Sequence, residues 1–373
     1  MRILDRAIIV RFLWNFALLF ALLFIFAISV DVLLAMDKFA EAASVLVKSG
    51  QRSSQVTAIA WLVWDFHGPR VFQFFQFTAG LLCIGAMGFT FSQMHRTREL
   101  TAIMAAGVPL RRCVWAVLVA AGALNLVQLV NQELLLPSVA ERLMREHSDL
   151  TKAEGSAFTV PLTVDSARNL LYAERFDPET GAITGLLAVE RDPQGSLVRR
   201  ITAAGATYDA AKGAWILRDG MALRRDPAAR EDAGLRSQAA PIAEWPTDLS
   251  PRALSARHYR LFAQMLSSGE LRSLAEAGAI ERSQADRMQL GRAGAILVNL
   301  LALLVAVPFF LQRGPANMLR ETVLCAGTCL PAYIVSIVLM SAPIPGLPAA
   351  VSVALPIALL APAAVARIAW LRS

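Results

Sequence analysis

Charge is scarce in this chain. Only 17% of its 373 residues are Asp, Glu, Lys or Arg, while 56% are apolar and the mean hydropathy is +0.50. Soluble domains carry about a quarter charged residues, so the composition excludes an ordinary soluble protein and predicts a polytopic membrane protein. Histidine is rarer still, with four copies. The short motifs of three chemistries are missing. Without G-x-x-x-x-G-K-[ST] the chain has no P-loop of its own with which to bind and hydrolyse ATP, and G-x-S-x-G and H-E-x-x-H are absent as well. The nearest approach to a catalytic pair is His67 beside Asp65, but no nucleophile stands at a readable spacing. Trp61, Trp64 and Phe66 around it read as an interfacial aromatic belt. His147 and His258 lie on polar segments and read as solvated. No enzyme and no cofactor is expected.

Cysteine is confined to the apolar parts. Cys83, Cys113, Cys325 and Cys329 all fall outside the polar middle of the chain, which therefore has no disulfide framework. Cys325 and Cys329 have a spacing that metals can use, yet no third ligand type lies near them, and they read as small buried residues.

What is abundant is the long apolar run. The first, Phe12 to Val30, follows Arg2, Arg6 and Arg11; it is too long for a signal peptide and reads as a retained transmembrane helix ending near Leu34. Further spans are placed at 71–92, 112–133, 293–311, 320–341 and 348–370, each close to the roughly 20 residues that a bilayer core of about 30 Å requires. Six spans put both termini on one side. Eleven Lys and Arg flank the spans on that side, among them Arg96, Arg98, Arg111, Arg112 and Arg320; the opposite short segments hold Lys38, Lys48, Arg52 and Arg70, plus Arg292 at the mouth of span four. This bias predicts cytoplasmic termini, with His95, Gln312 and Ser373 inside and Gly50 and 134–291 outside.

The net charge of +7 also depends on location. From Leu134 to Leu290 there are 20 basic and 21 acidic residues, while the apolar remainder holds 16 and 8. The basicity belongs to the membrane-flanking pieces, so it reads as topology and not as a nucleic-acid footprint.

The middle of the chain changes period. From Phe158 to Asp248, strand-length runs (FTVPLTV, NLLYAERF, ITGLLAVE, LVRRITAAGATYD, AWILRDGMALRR) alternate with Asp-Pro, Gly and Lys-Gly turns. That pattern predicts an antiparallel sandwich, jelly roll or barrel, with Trp215 in its core. The layout is three spans, a β domain, then three spans. Its divisions are 1–133, 134–291 and 292–373.

Between spans two and three lies HRTRELTAIMAAGVPLRR, His95 to Arg112. Glu99 to Ala106 is helix-forming and is closed by Gly107 and Val108-Pro109. A short helix between two membrane spans is either a turn whose arginines set topology or a coupling helix that docks in a groove of a separate ATPase, with Glu99 offering its carboxylate.

ELTAIMAAGVPLRR, followed about twenty residues later by QELLLP (Gln132 to Pro137), resembles the signature of the LptF/LptG (YjgP/YjgQ) family of lipopolysaccharide-export permeases. LDRAIIVRFLWNF at the N-terminus resembles the start of that family's first span. ITAAGATYDAAKGAWILRDG resembles a strand pair of its periplasmic domain, and Leu254 to Pro308 its return into span four. The similarity runs in order along essentially the whole chain. It implies a membrane α + β fold: six transmembrane helices with an inserted periplasmic β-jellyroll-like domain between helices 3 and 4. It implies an inner-membrane permease that pairs with a paralogous six-helix permease, binds an LptB-like ATPase dimer, and passes lipopolysaccharide to LptC-like and LptA-like periplasmic proteins.

By the same resemblance, Glu99 with Arg98 forms the ATPase-coupling contact near 97–107, Gly107 ends that helix, and Glu133 and Pro137 mark the exit from span three. Gln132 departs from the family's usual Asn. Asp31, Lys38 and Asn299 are candidates for a lipid path or a helix interface, Lys38 because the family meets lipid phosphates with basic side chains there. Two other classes remain open on the residues alone: a multi-span anchored binding or scaffold protein with an outer β-sandwich, and an intramembrane lipid-modifying enzyme.

Overall fold

A computed structural model describes residues 3–50, 52–143, 145, 150, 157–178, 180–192, 196–224, 238–258, 260–276, 280–311, 317–341 and 348–370. Gln312, Ser373 and His147 lie outside these. The chain divides into two compact units: one of Met1–Leu34, Arg70–Leu135 and Ser283–Ser373, the other of Ala35–Pro69 and Leu136–Arg282.

The first unit is helical. It holds α1 (Ile3–Leu34), and the second unit then interposes α2 (Met36–Lys48) and α3 (Gln55–His67) before α4 (Arg70–Arg96), α5 (Glu99–Ala105) and α6 (Arg111–Val130). Six helices of the described chain are long and apolar enough to cross a membrane, matching the six expected spans. In hydrocarbon every backbone group must be satisfied within the segment, which is why these apolar runs fold as helices. They pack on small residues, since burying one apolar surface on another adds little when lipid is the alternative. Ala79, Cys83 and Ala86 of α4, and Ala116, Ala120 and Ala121 of α6, are buried in one core with Phe12, Met87 and Phe91.

Span three ends in a π-helical turn, Asn131–Leu135, followed by α7 (Leu136–Leu143). The sequence supplies a cause. Pro137 has no N–H for the carbonyl of Glu133, and its ring would meet that carbonyl in a regular α-turn, so the ladder widens just before it.

The second unit carries the strands: β1 (Phe158–Val164), β2 (Leu170–Asp177), β3 (Ala182–Arg191), β4 (Leu197–Asp209), β5 (Ala214–Arg218), β6 (Met221–Arg224), β7 (Gln238–Pro241) and β8 (Glu244–Pro246). Helices α8 (Pro251–His258), α9 (Arg260–Met265) and α10 (Ser268–Glu276) follow, and α11 (Arg282–Phe310), α12 (Met318–Ser341) and α13 (Ala349–Trp370) complete the chain. The strands form one eight-stranded antiparallel sheet in the order β1-β2-β3-β4-β5-β8, with β6 and β7 branching from β4.

The branch is made by one long strand. Residues 205–209 of β4 pair with β5, while residues 199–202 pair with β6. Burial alternates along β4 until Gly205 and Ala206, which are buried in succession where pairing passes from one limb to the other. Both limbs close on a single core of Phe176, Leu186, Ile201, Trp215 and Trp245. The buried indoles are satisfied: Trp215 donates to the carbonyl of Leu249 at 2.9 Å and Trp245 to Glu190 at 3.1 Å.

Helices α2 and α3 belong to this unit, and the sequence reading did not foresee them. Phe39 of α2 meets Phe66 of α3 edge-on, at 5.9 Å between ring centroids. Trp61 and Trp64 are exposed, as a belt requires, but Phe66 and His67 are buried and so are not part of it. Asp65 accepts a hydrogen bond from Arg145 at 2.7 Å, which ties α3 to the segment after α7 and gives that carboxylate a structural partner.

Candidate functional site

The segment between spans two and three is built around α5. Arg98 turns the chain out of α4 with φ +57°, a left-handed conformation in a non-glycine residue. Glu99 follows at the first position of α5, where a carboxylate favours the helix N-terminus. Its Oε1 accepts from the Thr97 hydroxyl at 2.8 Å, and its Oε2 accepts from Arg11 of α1 at 2.7 Å. The hydrogen bond from Arg11 holds the Glu99 carboxyl below the usual carboxylate range, against a smaller opposing effect of burial.

The far end of the segment is held by the same helix. Arg112 of α6 makes a two-pronged contact with Asp5 of α1, at 2.9 and 3.1 Å. Arg11 and Asp5 of α1 thus hold the segment that runs from α5 to the start of α6 at both its ends. Between them Leu100 is buried, with Ile103 and Met104 packed against the same core. The opposite face is exposed: Arg98, Thr101, Ala102 and Ala105.

Gly107 ends α5 for a conformational reason. Its φ is +72°, its N–H bonds to the carbonyl of Met104, and the N–H of Val108 bonds to that of Ile103. This is a Schellman closure. A Cβ on Gly107 would meet nothing within 4 Å, so only the backbone angle demands glycine here. One further contact secures the base of α4. His95 Nε2 lies 3.0 Å from the carbonyl of Phe310, the last residue of α11, and because a carbonyl only accepts, the proton sits on Nε2.

A second constellation lies among the spans, around Asn299 of α11. Its side-chain N–H donates to Asn125 at 2.9 Å and Gln128 at 3.1 Å, and its oxygen accepts from the Tyr333 hydroxyl at 2.9 Å. Gln128 and Asn131 donate to the carbonyls of Gln76 and Phe72 in α4. Four helices are joined by these bonds, and Asn299 is buried. Within this chain its side chain joins α11 to α6 and α12.

The remaining candidates are dispersed. Asp31 lies 3.9 Å from Arg70 across α1 and α4, a loose ion pair. Lys38 is exposed on α2 in the second unit. Gln132 is buried in the π-helical turn, Glu133 accepts from Arg292 at 3.4 Å, and Pro137 opens α7. Cys325 and Cys329 are buried, and among the described residues no cluster has the make-up of a metal site.

Sequence reasoning missed the holding pairs, which join residues about a hundred positions apart. It also missed Asn125, Gln128 and Asn131. Their spacing of three in an apolar run was a readable signal of one polar stripe on a helix. Residues 6–370 match the family model described as lipopolysaccharide export system permease LptF/LptG. A search of curated proteins finds no match.

Proposed function

Because the chain belongs to the LptF/LptG family of lipopolysaccharide export permeases, we propose that it is the membrane subunit of an ABC-type exporter that draws lipopolysaccharide out of the inner membrane. ATP hydrolysis falls to a separate LptB-like dimer that docks on α5. A paralogous six-helix permease completes the membrane part, and the β domain, on the periplasmic side, hands the lipid to LptC-like and LptA-like proteins. Both termini and α5 are cytoplasmic, in keeping with the basic residues that flank the spans on that side.

The observation that carries this reading is the mounting of α5. Leu100 anchors one face, an ion pair to α1 holds its first residue and a second holds the start of α6 just beyond it, and Arg98, Thr101, Ala102 and Ala105 face outward. A helix so held transmits a push on its outer face to α1 and α6 instead of yielding to it. Arg98 and Gly107 set where the helix starts and stops, and Glu99 fixes it to α1. The load is large, because each buried CH₂ of an acyl chain holds the lipid in the bilayer by about 0.8 kcal/mol. Asp31 and Lys38 then lie toward the periplasmic side, Lys38 as a contact for lipid phosphate.

The test is purification of the full-length protein from its native membranes in mild detergent. Stoichiometric recovery of a nucleotide-binding subunit and a second six-span permease is expected. Recovery of the chain alone, or with soluble periplasmic partners only, would favour the anchored scaffold instead.

A further inference from the structure

Near the N-terminus of α1 a groove of about 760 Å³ opens between one face of that helix and Gln93 of α4. Arg6, Val10, Arg11, Trp14 and Leu18 line it, positions that share one side of a helix of 3.6 residues per turn. The groove changes character along its length. Arg6 and Arg11 stand at its outer part, while Leu18 lies about 10 Å further along α1 at 1.5 Å per residue, within the apolar run. Trp14, 65% exposed, stands between the two zones, where an indole suits a boundary between water and hydrocarbon. Arg11 commits one nitrogen to Glu99 and keeps other donors of its guanidinium. Arg6 is exposed and makes neither a hydrogen bond nor an ion pair among the described residues.

We propose that this groove binds an anionic phospholipid of the leaflet that borders the N-terminus of α1, with its phosphate on Arg6 and Arg11 and one acyl chain along Val10, Trp14 and Leu18. Charge and shape select this occupant. A soluble phosphate would satisfy the arginines and leave the exposed faces of Trp14 and Leu18 unused. An apolar partner helix would cover those faces and leave Arg6 without a counter-charge. A phospholipid meets both demands, and its phosphate would sit one guanidinium away from Glu99. The inference rests on the membrane reading of α1.

Native mass spectrometry of the full-length protein in mild detergent, supplied with phosphatidylglycerol or phosphatidylcholine, tests it. One phosphatidylglycerol is expected to stay bound in preference to phosphatidylcholine. Arg6→Gln should lower that occupancy about fivefold, as one basic contact at a membrane surface is worth, and Arg6→Lys should restore most of it. Arg320→Gln, which removes an exposed arginine at the start of α12 away from the groove, should leave occupancy unchanged. Equal retention of the two lipids, wild-type retention by Arg6→Gln, or an equal loss with Arg320→Gln would overturn the site. Occupancy is read without transport, so failure of the export reading would appear separately, in the partners recovered.

Discussion

Arg11 of α1 donates to Glu99 of α5 at 2.7 Å across 88 residues of sequence. The carboxylate expected to reach for an ATPase is thus engaged within the chain, and we propose that its service to coupling is to hold α5 on α1. Removing either partner should act alike. Glu99→Ala and Arg11→Gln are each expected to reduce the ATPase recovered per permease at equal membrane expression, and the double variant should lose no more than the worse single one. Additive losses would mean that Glu99 meets the ATPase directly.

The same pair fixes a pH dependence. The Glu99 carboxyl titrates lower in the folded protein than the value of about 4.3 that glutamate has in an unstructured chain. Its contribution is therefore fully present above that unfolded value and is lost only as pH falls through the lower, folded one. ATPase recovery should be flat between about pH 7.5 and 5.5 as far as Glu99 is concerned. A midpoint near 6 in wild-type protein that persists in Glu99→Gln would place the sensitivity elsewhere, and one abolished in Glu99→Gln would refute this assignment.

If the outer face of α5 is the docking surface, bulk there should block it without disturbing the fold. Ala102 and Ala105 are exposed, so Ala102→Trp or Ala105→Trp meets no core. Each is expected to cut ATPase recovery about fivefold or more, since overpacking a fitted contact costs about 1–3 kcal/mol. Thr101 shares this face, so Thr101→Trp belongs with them. Normal recovery with all three would exclude this face.

Gly107 offers a cleaner measurement because space is not at issue. Gly107→Ala places a Cβ in open surroundings but forces a left-handed backbone, at a cost of about 1–2 kcal/mol. Gly107→Asn should cost less, since asparagine visits that region more readily. Thermal unfolding of the detergent-solubilised protein should rank glycine above asparagine above alanine.

The sequence made some of this legible and hid the rest for physical reasons. Apolar runs and alternating strands are local patterns, so the six spans, β4 and the Lys212-Gly213 turn between β4 and β5 can be read directly. Gly107 was legible too, because a helix stop is written in neighbouring residues. Helices α2 and α3 are too short to stand out as membrane-length apolar runs, and the stripe of Phe39, Ala42, Ala43 and Leu46 that buries α2 is interleaved with Asp37, Lys38, Glu41 and Lys48. The clamp on the segment from α5 to α6 is invisible in principle from one sequence, since Asp5 and Arg112 are brought together only by the packing of α1 against α6.

The buried network around Asn299 depends on one glycine. A Cβ on Gly80 would stand 2.1 Å from the Asn299 oxygen and 2.3 Å from the Tyr333 hydroxyl, too close for either to keep its place. Gly80→Ala should therefore disrupt both ends of the Tyr333 to Asn299 hydrogen bond and destabilise the solubilised protein by about 1–3 kcal/mol, the usual cost of overpacking. Tyr333→Phe removes one bond and should cost only about 0.6 kcal/mol, the average for a polar contact between membrane helices. The informative variant combines the small-to-large change with its relief. Asn299→Ala alone leaves Asn125 and Gln128 to find other partners, yet in the Gly80→Ala background it also removes the atom nearest the intruding methyl. The double variant should thus be more stable than the sum of the two single losses, by about 0.5–3 kcal/mol of coupling. Melting temperatures of the four proteins under one detergent condition decide it. Strict additivity would mean that α4 and α11 move apart freely enough to take a methyl group, and that this network is not the fixed joint between them.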